Sequence, residues 1–251
     1  DKRFLIRGEA VIAMVLAVVV CVNMICFGPM ATLIGLATGN GTLSDETNEE
    51  AAEVAEEIME DGIVLLKNES LLPLNETKKL NIFGWESINP AYGGAGSGGI
   101  NDLYDIVSLN QGLENAGFSI NQKLVDFYNN YGADNPEMSI QKQSWTLPEP
   151  PVDTYSDELI KSAKEYSDVA VVVLSRKGHN DIPMDVRKAA YDNNPDEYDD
   201  FPEGEHYLQL SQTERDMVDM VCSNFDNVIV IYNGANQFEL GFADEYPQIK
   251  S

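Results

Sequence analysis

One stretch sets catalytic residue types directly behind a buried element: VAVVVLSRKGHNDIPMD, residues 169–185. The apolar run 169–174 suits a strand covered on both faces. The chain then turns polar at once, with Ser175, Arg176, Lys177, Gly178, His179, Asn180 and Asp181. His179 has the intrinsic proton affinity for acid–base work near neutrality, and the Asp181 carboxylate could orient it as a dyad. Arg176 and Gly178 are the candidate substrate-binding residues of this edge. Arg176 could instead pair with Asp181 or Asp185 to hold the loop, or form a plain surface ion pair worth under about 1 kcal/mol. A second acidic segment carries Glu203 and Glu205 beside Phe201, Pro202 and Tyr207. Neighbours that exclude water can raise a carboxyl's proton affinity enough to make it an acid. The plain alternatives are a surface loop around His179 and a solvated acidic run over 192–205.

Other motifs exclude more than they assign. Gly94, Gly96 and Gly99 in YGGAGSGG fit G-x-G-x-x-G. A dinucleotide fingerprint must sit directly between strand and helix, and here 85–91 intervene after Gly84. No G-K-[ST] follows, so it is not a P-loop; the stretch reads as a flexible loop or one that lines a cleft. Cys21 and Cys26 lie in the apolar N-terminus and only Cys222 lies beyond it, so neither a disulfide framework nor a zinc site is expected. The segment DNNPDEYDD lacks the spacing and glycine of a calcium loop. No cofactor and no metal is expected. With 16 Lys+Arg against 42 Asp+Glu, the net charge is −26, which repels nucleic acid and anionic membrane surfaces. The sequons NES and NET and the aromatics Tyr191, Tyr198, Phe201 and Tyr207, which could stack on sugar, are weak signals beside ordinary packing.

The elements that must position these residues follow from periodicity. Residues 10–27 are apolar except for Asn23, and with GPMATLIGLA behind them exceed the ~20 residues that span a bilayer. Lys2, Arg3 and Arg7 precede the run; Asp45, Glu46, Glu49 and Glu50 follow it. The positive-inside rule puts 1–9 in the cytoplasm, 10–36 in the cell membrane as a single pass, and the rest outside; a cleaved signal and a secreted chain are the alternative. Residues 37–48 read as a linker. Thr47 and Glu50 fit a capping box for a helix whose apolar face is Ala51, Val54, Ala55 and Ile58, closed by Gly62. An extended run IVLLKN follows. Strands are expected over 79–85, at FSIN, over 169–174 and over 227–234. Helices are expected over 101–117, over QKLVDFYNNYG, over DELIKSAKEY behind Ser156, and over 211–225. Alternation of this kind, with strands apolar throughout, gives the fold class α/β: a parallel-sheet sandwich of flavodoxin-like type behind one transmembrane helix.

Several stretches together carry a family resemblance. AAEVAEEIMEDGIVLLKNESLLPLN resembles the segment that opens the α/β-sandwich domain of glycoside hydrolase family 3, the β-glucosidase family. NIFGWESINPAYGGAGSGGIN is similar to that domain's first strand and Gly-rich loop. VAVVVLSR, DIPMD, HYLQLSQTERDMVDMV and NVIVIYNGANQFELGF are similar to its later strands and helix. The resemblance covers about 49–251. It implies a truncated sandwich, incomplete at the C-terminus, in the family's reversed order, with a (β/α)8 barrel downstream. A barrel needs about 250 residues, so none fits beside the sandwich in this length.

The resemblance also implies the chemistry. Retaining glycosidases use two carboxyls about 5–5.5 Å apart. In this family the nucleophilic Asp belongs to the barrel, and many members take the acid/base Glu from a Gly-Glu-Gly motif just after the strand matching 169–174. Here Arg176, Gly178, Asp181 and Ile182-Pro183 match the frame, but His179-Asn180 stand where Glu-Gly is expected. Three donors remain open: Glu203 or Glu205 folding back, the His179–Asp181 dyad, or a group outside this chain, unless activity is lost. The function implied is hydrolysis of β-glucosides or short oligosaccharides outside the cytoplasm, with this chain inactive alone. The alternative is a membrane-tethered sugar-binding or scaffolding module without catalysis.

Overall fold

The computed structural model describes residues 2–28, 30–38, 44–75, 77–88, 90, 106–134, 149–176, 201, 205, 208–234 and 237–251. They form two compact units, Asp1–Val64 and Leu65–Ser251. The first is helical: α1 (Lys2–Phe27), α2 (Met30–Ala37) and α3 (Asp45–Gly62). By length and composition α1 could cross a membrane, and a signal sequence near an N-terminus meets the same description. Its polar interruption is blunted within the helix, since Asn23 Nδ2 donates to Val19 O at 3.0 Å. The single apolar segment expected over 10–36 is two helices. They part at Gly28, where a Cβ would lie 2.2 Å from Met24 O. The N-cap of α3 is Ser44, whose Oγ accepts from Thr47 N at 3.2 Å. The expected Thr47–Glu50 capping box is therefore corrected: α3 starts earlier, and Ser44 satisfies the orphan donor.

The second unit is a four-stranded parallel sheet in the order β2–β1–β3–β4, with β1 (Lys79–Phe83), β2 (Ser119–Ile120), β3 (Val169–Arg176) and β4 (Asn227–Gly234). This order is that of flavodoxin-like doubly wound sheets. Register sets Ile82 beside Val171, Val171 beside Ile229, and Arg176 beside Gly234. Between the strands lie α4 (Leu109–Asn115), α5 (Gln122–Asp134), α6 (Asp157–Tyr166) and α7 (Gln212–Asn224).

The apolar β3 follows from its place at the centre. Ala170, Val172 and Leu174 join Leu124, Tyr128, Ala163, Met217 and Val221 in one cluster. Val169, Val171 and Val173 join Leu80, Ile82, Ile120 and Ile229 in another, against which Leu109 and Leu113 pack. Both faces of the sheet are thus covered, as a parallel sheet requires. The expected helix 101–117 is shorter in the structure. Within the described part it begins at Leu109, because Ser108 Oγ accepts from Gln111 N at 3.1 Å and fixes the start there. The extended run after α3 joins no named strand, although Lys67 O accepts from Ser251 Oγ and Glu69 N donates to Lys250 O. Residues 248–251 lie along β4, with Val228 N donating to Gln248 O and Val230 N to Ser251 O.

One polar side chain ties these layers together. Asn81, buried in β1, donates from Nδ2 to Ala163 O and Ser167 O, each at 3.0 Å. Its Oδ1 accepts from Asn121 Nδ2 at 2.8 Å. The amide so ties the C-terminal end of α6 to the sheet, adding a second donor to Ala163 O, which already accepts from Ser167 N, and supplying one to Ser167 O just past the helix.

Candidate functional site

Ligands of open parallel sheets bind outside the carboxyl ends of the strands. In this sheet that edge is built from the last residues of β3 and β4 and the turn after β1. Arg176 ends β3 and is fully buried. Its Nη1 and Nη2 donate to Glu214 Oε1 and Oε2 at 2.7 and 2.6 Å, a bidentate pair. Nη1 also donates to Ser175 O at 2.7 Å and Nη2 to Gln209 O at 2.6 Å. The guanidinium carbon lies 4.6 Å from the Phe238 ring centroid, and Phe238 stacks on Tyr232 at 4.7 Å. One side chain so joins β3, the approach to α7, α7 itself and the segment after β4.

Glu214 is held from the other side as well. Ser211 Oγ accepts from Glu214 N, and Glu214 Oε2 accepts from Ser211 N at 2.9 Å, a complete capping box. Glu214 thus caps its helix and neutralises Arg176 with the same carboxylate.

The turn after β1 is held by a second cluster. Gly84 has φ +102°, and a Cβ there would lie 2.2 Å from Val173 O. Gly84 N donates to Tyr128 Oη at 2.6 Å, and Trp85 N donates to Glu149 Oε2 at 2.7 Å. Tyr155 Oη donates to Glu149 Oε1 at 2.6 Å and lies 2.8 Å from Tyr128 Oη. The Trp85 ring rests where a side chain on Gly132 would be. Burial pushes the Glu149 carboxyl up to about 8, against the hydrogen bonds from Tyr155 and Trp85, and the carboxylates of Glu214 and Glu86 add to the rise. Burial, with Glu149 close by, also raises Tyr128 and Tyr155 well above the usual phenol range.

The structure places three of the expected residues in different ways. Arg176 is at the sheet edge, but buried against Glu214, so the plain surface ion pair is corrected; Asp181 and Asp185 lie outside the described residues. Gly178, His179, Asp181 and Glu203 also lie outside them. Glu205 is described and half-buried: Oε1 is 3.6 Å from Arg215 Nη2 of α7, and Oε2 is buried with no hydrogen-bond partner among the described residues. Of the aromatics named as sugar-stacking candidates, Phe201 is buried, while Tyr191, Tyr198 and Tyr207 lie outside the described residues. Sequence reasoning missed Glu214, Glu149, Tyr128 and Tyr155. Glu214 carried a signal, the S-x-x-E spacing from Ser211. Glu149 carried none, because it lies between two prolines in a connection without periodicity. Among the described residues no group of His, Cys, Asp and Glu could hold a metal ion.

A parallel sheet covered on both faces, with buried ionic and aromatic clusters at its carboxyl edge, defines an α/β-sandwich domain. Residues 63–250 match the model of the glycosyl hydrolase family 3 C-terminal domain, and the chain belongs to glycoside hydrolase family 3. A β-glucosidase of Ruminococcus albus is 28% identical over 200 residues, covering 78% of this chain and 19% of that protein. β-Glucosidase A of Butyrivibrio fibrisolvens is 30% identical over 201 residues, covering 76% and 23%. Among solved structures, β-glucosidase 3B of Thermotoga neapolitana in complex with α-D-glucose superposes with a TM-score of 0.61 at 28% identity, covering 80% of this chain and 26% of that one. A β-glucosidase of Paenibacillus barengoltzii gives 0.58 at 26% identity, covering 74% and 19%. The chain therefore spans about a fifth to a quarter of the length of these relatives.

Proposed function

We propose that the chain is the sandwich part of a β-glucosidase-like hydrolase that cleaves β-linked glucosides or short oligosaccharides outside the cytoplasm. The observation that carries this is the match of residues 63–250 to the family 3 C-terminal domain, together with relatives named β-glucosidase that align over 200 and 201 residues and of which the chain spans only a fraction. The nucleophilic Asp then belongs to a (β/α)8 barrel following the sandwich, and α1 with α2 tethers residues 49–251 to the membrane. The sandwich supplies one wall of the cleft, held in shape by Arg176. The proton for the leaving-group oxygen comes from the acidic segment. Glu205 heads the candidates, because its Oε2 is buried and has no partner among the described residues to compete with a substrate atom. Glu203 and the His179–Asp181 dyad follow it, with Gly178 a candidate substrate-binding residue. A second reading, a tethered sugar-binding module without catalysis, is favoured by His179-Asn180 standing where the family's Glu-Gly is expected.

The test uses a full-length version that includes the downstream barrel. General acid catalysis contributes about 10²–10⁴-fold. Glu205→Gln should cut turnover of a glucoside with a poor leaving group by that order. It should spare the glycosylation step of a dinitrophenyl glucoside, whose leaving group needs no proton. Glu203→Gln and His179→Ala run beside it show whether another donor has the role. A full-length protein that binds glucose but turns over neither substrate would make the binding module the better account.

A further inference from the structure

We propose that Glu149 is a positioning residue whose proton sets how firmly the backbone at Gly84 and Trp85 is held at the carboxyl edge of the sheet. Two successive main-chain N–H groups at the exit of β1 are taken by side chains rather than by a strand. Tyr128 of α5 holds the first and Glu149 the second, and Tyr155 joins the two holders. No side chain but hydrogen fits at Gly84, and Trp85 lies against Gly132, so this exit has one direction. The Gly-rich stretch 92–99 departs from it in sequence.

The latch holds two opposed demands. Its four contacts match four donors when Glu149 is a carboxylate: Gly84 N–H, Trp85 N–H and two phenol O–H groups. A proton on Glu149 adds a fifth donor, so one hydroxyl loses its acceptor. That loss is a single hydrogen bond, whereas an unpaired buried charge loses most of its solvation. The groups that face Glu149 sharpen the second cost: Tyr155 on its own segment, Tyr128 on α5, Glu86 after β1 and Glu214 on α7 bring no positive charge to it, and the two carboxylates repel it. The closed latch therefore prefers the proton. Opening solvates Glu149 and returns it to the ordinary carboxylate range, so rising pH favours opening between about pH 5 and the folded value of about 8.

The decisive measurement is hydrogen exchange at the Trp85 amide, by NMR on the labelled chain 1–251 in bilayer nanodiscs, corrected for the intrinsic rate. Protection should fall with rising pH across that window by up to about tenfold per pH unit. In Glu149→Gln, which keeps an acceptor for Trp85 N–H but has no proton to lose, it should be flat. Protection that is flat in the wild type, or equally steep in Glu149→Gln, overturns the proposal. Should that variant not fold, the Glu149 side-chain carboxyl signal of the wild type decides: titration in the ordinary carboxylate range also overturns it. The kinetic consequence alone rests on the hydrolase reading. In the full-length enzyme, Glu149→Gln should flatten the rise of KM with pH and leave kcat nearly unchanged; an unaltered KM profile rejects the positioning role. A full-length protein without activity would fail the hydrolase reading and leave the exchange result standing.

Discussion

Two buried acids at the sheet edge solve the same problem differently, and stability should report the difference. Glu214 has Arg176 as its counter-charge, while Glu149 has hydrogen bonds alone. The Glu149 carboxyl is raised above its unfolded value, so its contribution is fully present below that value and is lost as pH rises through about 8. Chemical denaturation should show stability falling between about pH 5 and 8, with a slope of up to roughly 1.4 kcal/mol per pH unit from this group. Subtracting the Glu149→Gln profile should isolate that slope; a difference profile that rises with pH would reverse the assignment. For Arg176 the loss is one-sided. Arg176→Met should cost about 3–5 kcal/mol by leaving Glu214 buried and uncompensated. Adding Glu214→Leu should recover most of that but not all, since the capping box goes with Glu214 and costs about 1 kcal/mol. A double variant less stable than Arg176→Met would argue against a paired charge at this site.

At the scale of elements, sequence and structure agree where local and tertiary signals coincide. The limits of β4, α6 and α7 were legible to within a residue from apolar runs and the Ser156 and Ser211 caps, whereas β1, expected over 79–85, ends at Phe83 because Gly84 turns the chain at φ +102°, and β3, expected over 169–174, runs on to Arg176 because it pairs with β4 as far as Gly234. The helix expected from 101 was not legible in its start, because Ile106 and Val107 continue an apolar pattern while Ser108 ends the extended chain. The same competition misplaced the cap of α3, where Ser44 and Thr47 are both competent and only the backbone decides. At the site, the strand leading to Arg176 was legible, but Arg176 itself was expected in the loop after it, and its partner stands 38 residues away and contributes no local pattern. Glu149 reaches Trp85 across 64 residues, and nothing in a proline-flanked glutamate announces that. The exit of β1 provides the element-scale test. Gly84→Ala must place a Cβ against Val173 O at positive φ, and such strain costs of order 1–3 kcal/mol. Ala in place of Gly241, where a Cβ meets nothing within 4 Å, is the control that should stay within about 0.5 kcal/mol. Equal losses at both positions, read by urea unfolding, would remove the steric account of the turn.

For the whole molecule the question is whether α1 spans a membrane and, with α1 spanning, on which side the acidic sandwich sits. The chain carries a net charge of −26, and its cationic N-terminal flank, Lys2, Arg3 and Arg7, forms the first turns of α1 ahead of its apolar run. After the apolar helices come Asp45, Glu46, Glu49 and Glu50, all within the first turns of α3. Basic residues near a span are retained in the cytoplasm, and an anionic cytoplasmic leaflet repels the acidic segment, so both influences act in one direction. With α1 spanning, residues after Thr42 face outwards. Protease added to intact cells should then digest the sandwich and spare a tag at the N-terminus. Replacing Lys2, Arg3 and Arg7 with Glu should weaken that asymmetry, because the retention signal is gone while the apolar length is unchanged. If soluble protein beginning near Gly39 is released instead, α1 is a cleaved signal and the sandwich is secreted. Protection of the sandwich in intact cells, with digestion only after permeabilisation, would place it inside and reject the extracellular reading altogether.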